Sequence, residues 1–434
     1  MSNDYLSSLP EEMLEEISKF FKHRYTNSSY SALAQSCKSL RPHFQRRLFS
    51  HVNLAAEIRV RKFAETIRVN PILTSYIQTI SLTTDNMCMG LFQYPPLLAI
   101  MHATASSSGT LPEIHLCIGA LLNDSNEIRN DLHLSKRTHI LNAPQNILDA
   151  ITHLQVTDDM EEAPAIPAGL FRLLFNLRIV SGYFVVSSIS DKPSNNCSAD
   201  NHTPEFFRPK LDELSLGGSN PATITMICEQ ILDLSAVKKF ELFHTHVEST
   251  SEAYLKNAKY FLAQRLLDHA QTVQKIHLDI GVMVGPFYDL SRLQHLRKCA
   301  LDIDVEAGKN PVPRLCQLLR TLPPLPEHDL EYLHLNLDFI NIPPNAKYIT
   351  IFHVLFSLDT WSEFDAALVN VGASGTRQFM LTLYFGTDTP KSAFIHVPNN
   401  IFVDWEKKYL PRSSQQQNLK IDILHPYSFQ FLLF

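Results

Sequence analysis

One short pattern limits what this chain can become. Over 434 residues the template apolar-x-x-apolar-x-apolar recurs nine times, starting at Ile77, Leu111, Ile151, Leu174, Leu211, Val237, Val273, Leu296 and Leu330. The steps between starts are 34, 40, 23, 37, 26, 36, 23 and 34 residues. A tenth, weaker copy runs from Phe379 to Leu383, and Leu419 to Leu424 reads as a last edge strand. The residue between the last two apolar positions is Ser81, His115, Gln155, Arg178, Ser215, Glu241, His277, Ala300 or His334, polar in eight of nine copies. That alternation predicts half-buried strands. Three residues further on stand Asp85, Gly119, Asp159, Gly182, Ser219, Thr245, Gly281, Asp304 and Asp338, all small or turn-forming, so a turn is expected there.

The longer steps hold helix-forming segments at 223–233, 251–269 and 313–320. Strand followed by helix, repeated, gives a parallel sheet. The template resembles the leucine-rich repeat, L-x-x-L-x-L-x-x-N, although no copy carries the Asn and the period is irregular. The resemblance implies a degenerate, curved α/β solenoid over residues 55–434. A polar insertion is expected at 187–209, where Ser, Asn, Asp and Pro crowd together.

Composition removes several function classes. Lys+Arg 38 against Asp+Glu 44 gives a net charge of −6, which argues against a nucleic-acid partner. Only 13 glycines occur, with no G-x-G pair, no G-K-[ST] and no G-x-S-x-G. Dinucleotide, P-loop and nucleophile-elbow chemistry therefore have no signature. Among the seven cysteines the closest pair, Cys299 and Cys316, is 17 positions apart, which excludes C-x-x-C sites. Such scattered thiols fit a reduced compartment, cytoplasmic or nuclear. Glu11, Glu12, Glu15 and Glu16 leave no apolar leader core. The uncharged stretch 87–112 carries Pro95 and Pro96 and is not expected to span a membrane.

The first fifty residues have a different character. Ser8-Leu9-Pro10-Glu11 is a helix-start pattern. Met13, Leu14, Ile17, Phe20 and Phe21 follow as an apolar stripe, then Leu33, Cys37, Leu40 and Phe44, with Pro42 splitting the second stripe into two short helices. The segment ends in the strand-like Val52-Asn53-Leu54. LPEEMLEEISKFF followed by SALAQSCKSLRPHFQRRLFSHVNL resembles an F-box domain of the fungal type, with Leu40 where the family often has Trp. The resemblance implies a helical docking domain over residues 1–54 with no chemistry of its own. Its partner would be a Skp-family adaptor, and through it a cullin ubiquitin ligase. The implied docking residues are Leu9, Pro10, Met13, Leu14, Ile17, Leu33, Cys37 and Leu40, some of which must pack the domain itself.

Catalytic signatures are weak. His244-Thr245-His246 has no further ligand at zinc spacing, and Asp302-Ile303-Asp304 sits on a repeat strand and its turn. No catalytic residue, metal or cofactor is expected, and the chain is read as a non-enzyme. The third template position reads Thr79, Glu113, His153, Asn176, Glu213, Lys239, Lys275, Lys298 and Tyr332. Lys239, Lys275 and Lys298 should stand side by side, and like charges in a row favour an anionic partner. They are the candidate contacts to an unknown protein substrate. Arg59, Arg61, Lys62 and Arg68 fit the outer face of a helix whose apolar side carries Ile58, Phe63 and Ile67. The reading is a substrate adaptor of a Skp-cullin-F-box ligase. The alternative is a repeat scaffold unconnected to ubiquitin ligation.

Overall fold

The computed structural model describes residues 9–19, 26–36, 38, 40–83, 91–119, 143–157, 165–187, 208–217, 221–243, 264–282, 288–305, 310–322, 330–339, 361–372, 379–387, 405–416 and 419–424. The protein is mixed α/β with extensive parallel sheet. Two compact units divide the chain: residues 1–177 with 188–207, and residues 178–187 with 208–434.

The first unit begins with α1 (Glu11–Lys19), α2 (Thr26–Ser36) and α3 (Arg41–Ser50). The Pro10 carbonyl accepts the N–H groups of Met13 and Leu14 and starts α1. Pro42 lies in the first turn of α3, where its missing N–H costs nothing, so the two short helices expected around it form. Leu14, Tyr30, Ala34, Leu40 and Phe44 make one core, with Leu9, Leu33 and Leu48 against it. The Tyr30 and Phe44 rings stack at 6.0 Å. Arg47 of α3 reaches Glu15 of α1 at 3.4 Å.

The chain then alternates: β1 (His51–Leu54), α4 (Glu57–Val69), β2 (Thr79–Thr83), α5 (Pro95–Ser108), β3 (Glu113–Gly119), α6 (Gln145–Ala150), β4 (Ile151–Thr157), β5 (Ala165–Pro167) and α7 (Ala168–Leu173). β1 to β4 pair in chain order and in parallel. Val52–Leu54, expected as a strand-like tail of the helical segment, forms β1 together with His51, and β1 pairs with β2 from His51 opposite Thr79 to Leu54 opposite Leu82. α5 ends at Gly109, whose φ of 78° is the left-handed cap that glycine adopts without strain. α4 departs from expectation. Its buried stripe is Val60 and Ile67, while Ile58 is 63% exposed. Val60 is the residue at seven-residue spacing from Ile67, and Ile58 lies two positions off that line. Arg59, Arg61, Lys62 and Arg68 are exposed as expected.

The second unit contains β6 (Ile179–Tyr183), β7 (Val185–Ser187), β8 (Glu213–Gly217), α8 (Pro221–Met226), β9 (Lys239–Phe243), β10 (Lys275–Val282), β11 (Lys298–Val305), α9 (Val312–Thr321), β12 (Tyr332–Phe339), α10 (Trp361–Gly372), β13 (Phe379–Thr387), α11 (Trp405–Tyr409) and β14 (Leu419–Leu424). Apart from β7, its strands pair in chain order and in parallel. The helices expected near 223–233 and 313–320 are present, the first running from α8 into a π-turn at Ile227–Ile231. Residues 264–269 are helical, and 251–263 lie outside the described residues.

Register builds the core. Leu214, Phe240, Ile276, Cys299, Leu333 and Leu381 are successive cross-strand partners, and all are buried. Two expectations shift. The fourth template copy begins at Leu177, not Leu174, because Ile179 pairs with Glu213 and Val180 with Leu214. Leu174 is buried too, but it precedes a turn whose N–H at Leu177 returns to the Leu174 carbonyl. The turn column does not hold where it is described: Gly119, Gly182, Gly281, Asp304 and Asp338 all lie in strands, and Asp85, Asp159, Ser219 and Thr245 lie outside the described residues. Buried Ile303 and Leu337 extend the alternation by one more apolar position and delay the turn. The insertion at 187–209, apart from Ser187, Arg208 and Pro209, and the C-terminal apolar run at 430–434 lie outside the described residues.

Asp365 of α10 is buried, and its carboxylate accepts the backbone N–H groups of Arg412 and Ser413 at 2.9 and 2.8 Å. Phe240→Ala should destabilise the protein by about 3–5 kcal/mol, and Asp365→Ala by about 1–3 kcal/mol. Urea unfolding followed by circular dichroism measures both.

Candidate functional site

The N-terminal helices sort the expected docking residues by burial. Leu14 and Leu40 belong to the core, and Leu9 and Leu33 are half-buried against it. Pro10 is exposed, and Met13, one position from a core residue on α1, is 50% exposed. The side chain of Ile17, and Cys37 altogether, lie outside the described residues. The packing set and the solvent-facing set are thus adjacent on one short helix.

In the second unit Lys275 pairs with Lys239 on one side and Lys298 on the other, so the three lysines stand in one row. Their surroundings differ. Lys239 Nζ lies 3.1 Å from Glu241 and 3.6 Å from Glu213; desolvation is the largest single influence and lowers its pKa, but the hydrogen bonds and charges of Glu241 and Glu213 together raise it. Lys275 and Lys298 are exposed and form no ion pair among the described residues. Glu331 and Tyr332 N–H groups anchor the next strand on the Arg297 carbonyl.

Beside that row lies a histidine–carboxylate pair. His277 Nε2 and Asp302 Oδ2 are 2.7 Å apart across neighbouring strands. The Asp302 hydrogen bond raises the His277 pKa against desolvation, with smaller help from the charges of Asp302, Glu241 and Asp279. The edge of Phe243 meets the His277 ring at 5.2 Å. His334, two strands on, is pushed the other way, chiefly by burial. Of the expected D-x-D, Asp302 is therefore a partner of His277, and Asp304 continues the strand.

The first unit carries a second polar cluster. His51 lies on β1, Ser81 on β2, Glu113 and His115 on β3, and His153 on β4. Ser81 Oγ and His51 Nε2 are 3.0 Å apart. The His115 ring lies 5.7 Å from that of His51 and 3.6 Å from that of His153. Burial first, then His153 and His51, push the His115 pKa down to about 4. His115 Nε2 is buried with no hydrogen-bond partner among the described residues. Thr152 Oγ1 and His153 Nδ1 are 2.8 Å apart.

Sequence reading missed this cluster because it placed His153 in the column of Glu113 and His115 in the next. In the sheet Ile114 faces Ile151 but His115 faces His153, so Thr152 is an extra, bulged residue. Consecutive burial of Ile151 and Thr152 is the imprint of that bulge. Asn176, also placed in that column, instead donates from its side chain to the Asp149 carbonyl. His244 and His246 lie outside the described residues.

The buried cysteines carry no sign of chemistry. Burial pushes Cys228 and Cys316 up to about 11 and Cys299 up to about 12, far from thiolate reactivity. Among the described residues no helix is long and apolar enough to cross a membrane.

No family model matches the chain, and no curated protein matches it. A chain from the structure of the Toll–Spatzle complex of Drosophila aligns with 82% of this chain at 13% identity and a TM-score of 0.30. This chain covers 38% of that one, and a likeness this low carries no argument.

The His277–Asp302 pair makes a pH prediction. Because the folded pKa of His277 is raised, its contribution to stability is full below about pH 6.5 and is lost as the pH rises through the folded value. Imidazole NMR titration should find His277 titrating above the ordinary histidine range, and Asp302→Asn should bring it down.

Proposed function

We propose that the protein is a substrate-recognition adaptor of a Skp-cullin-F-box ubiquitin ligase. The observation that carries the reading is the N-terminal helical unit, in which Leu14 and Leu40 close a small core while Pro10 and Met13 face solvent. An exposed methionine beside a proline at a helix start offers an adaptable apolar contact to a partner helix. The Skp-family adaptor binds there and brings a cullin with it. The strands beyond form a degenerate leucine-rich-repeat-like solenoid whose polar face receives the target. The mechanism is proximity, with the target held beside a ubiquitin-charged partner and no catalytic group supplied by this chain. The protein works in the cytoplasm or nucleus, where its thiols stay reduced.

On that face Lys275 and Lys298 are the contacts for an acidic or phosphorylated stretch, because Glu213 and Glu241 already neutralise Lys239. A repeat scaffold without a ligase would use the same face and ignore the adaptor.

Co-expression with a Skp-family adaptor and size-exclusion chromatography test the docking. Met13→Asp should weaken the complex by at least about 30-fold, the equivalent of about 2 kcal/mol, without moving the unfolding midpoint. Absence of co-elution with folded wild type would leave the scaffold reading. Binding of a phosphoserine-rich peptide, followed by fluorescence anisotropy, should fall about tenfold in Lys275→Glu/Lys298→Glu and little in Lys239→Gln. Equal binding by all three proteins would remove the lysine row from the substrate surface.

A further inference from the structure

Glu113, His115 and His153 each present a ligand atom such that all three lie within 4.8 Å of one another. Glu113 and His115 are two residues apart on β3 and share a face, and the bulge at Thr152 carries His153 into register with His115. Without the extra residue the two imidazoles would not be direct neighbours. We infer that these three side chains form a divalent transition-metal site, best matched to Zn²⁺, on the polar face of the first unit's sheet.

The donor set selects the ion. Two imidazoles and one carboxylate suit zinc, whereas Mg²⁺ and Ca²⁺ call for oxygen alone. A tetrahedral zinc with bonds of about 2.0–2.1 Å needs ligand atoms roughly 3.4 Å apart. Small side-chain rotations close that gap from the present spacing. Two further observations point the same way. His115 Nε2 is buried with no hydrogen-bond partner among the described residues, an arrangement that an ion would satisfy. His153 Nδ1 and Thr152 Oγ1 are 2.8 Å apart, and with the proton on Nδ1 this contact would supply the outer-shell support that ligating histidines use. The fourth position opens to water, with His51 next along the row. The ion would clip β3 to β4 across the bulge.

The full chain, stripped with chelator and dialysed, would be titrated with Zn²⁺ by calorimetry and with Co²⁺ by visible absorption. One equivalent should bind, and Co²⁺ should give the absorption bands of a low-symmetry nitrogen–oxygen site. His115→Ala/His153→Ala should weaken binding more than about 100-fold, beyond what loss of an outer-shell group costs. Glu113→Gln, at an exposed strand position that leaves the fold intact, should weaken binding and change the Co²⁺ spectrum. Equal Zn²⁺ uptake by wild type and Glu113→Gln with an unchanged Co²⁺ spectrum, or no stoichiometric binding to wild type, would overturn the site.

Discussion

Within each unit, parallel pairing of successive strands, β5 and β7 aside, is the constraint on which the rest depends. At the entry to successive strands one backbone N–H reaches the carbonyl of the residue before it in the array: Gln78 to Ser50 and Glu113 to Gln78 in the first unit, Lys238 to Asp212, Gln274 to Lys238, Arg297 to Gln274 and Glu331 to Arg297 in the second. These bonds fix register before the strand proper begins. Fixed register stacks like positions on like. One row therefore buries Leu214, Phe240, Ile276, Cys299, Leu333 and Leu381, and no strand could slip by one residue without exposing its share.

The same register orders the opposite face, where stacking puts like beside like among polar groups as well. Lys239, Lys275 and Lys298 fall in a row because the apolar rows beneath them do. The second unit relieves part of that crowding with Glu213 and Glu241 and sets His277 against Asp302. The first unit instead gathers His51, His115 and His153. The two faces therefore offer different chemistries, one of mixed charge and one rich in imidazole.

Much of this was legible from residue order. Eight of the nine template starts lead directly into a strand, because a strand buried on one face writes its period into the sequence. What failed were the places where two periods overlap. Leu174 satisfies the template and Leu177 does not, because Gly182 stands at its last apolar position; only pairing shows that Val180, not Ile179, is the inward residue. Thr152 is invisible as a bulge because a threonine suits a strand anywhere, yet it decides whether His115 and His153 meet. In α4 the apolar Ile58 drew attention from Val60, although only the latter reaches the core. The division of the N-terminal residues into packing and exposed sets needed three helices placed together, since Met13 and Leu14 are equally apolar and differ by one step around α1.

The spacing of the buried row has a consequence for how such a chain can change over time. Between successive members the chain travels 23 residues from Ile276 to Cys299 but 48 from Leu333 to Leu381, while the pairing in both cases is residue for residue. The distance along the chain is thus decoupled from the distance between strands. Each strand answers only to the one before and the one after. Duplicating a whole step, or lengthening the excursion between two strands, disturbs two junctions and leaves every other residue where it was. A surface of this kind can be widened, and its polar rows rewritten one strand at a time, without redesigning the core.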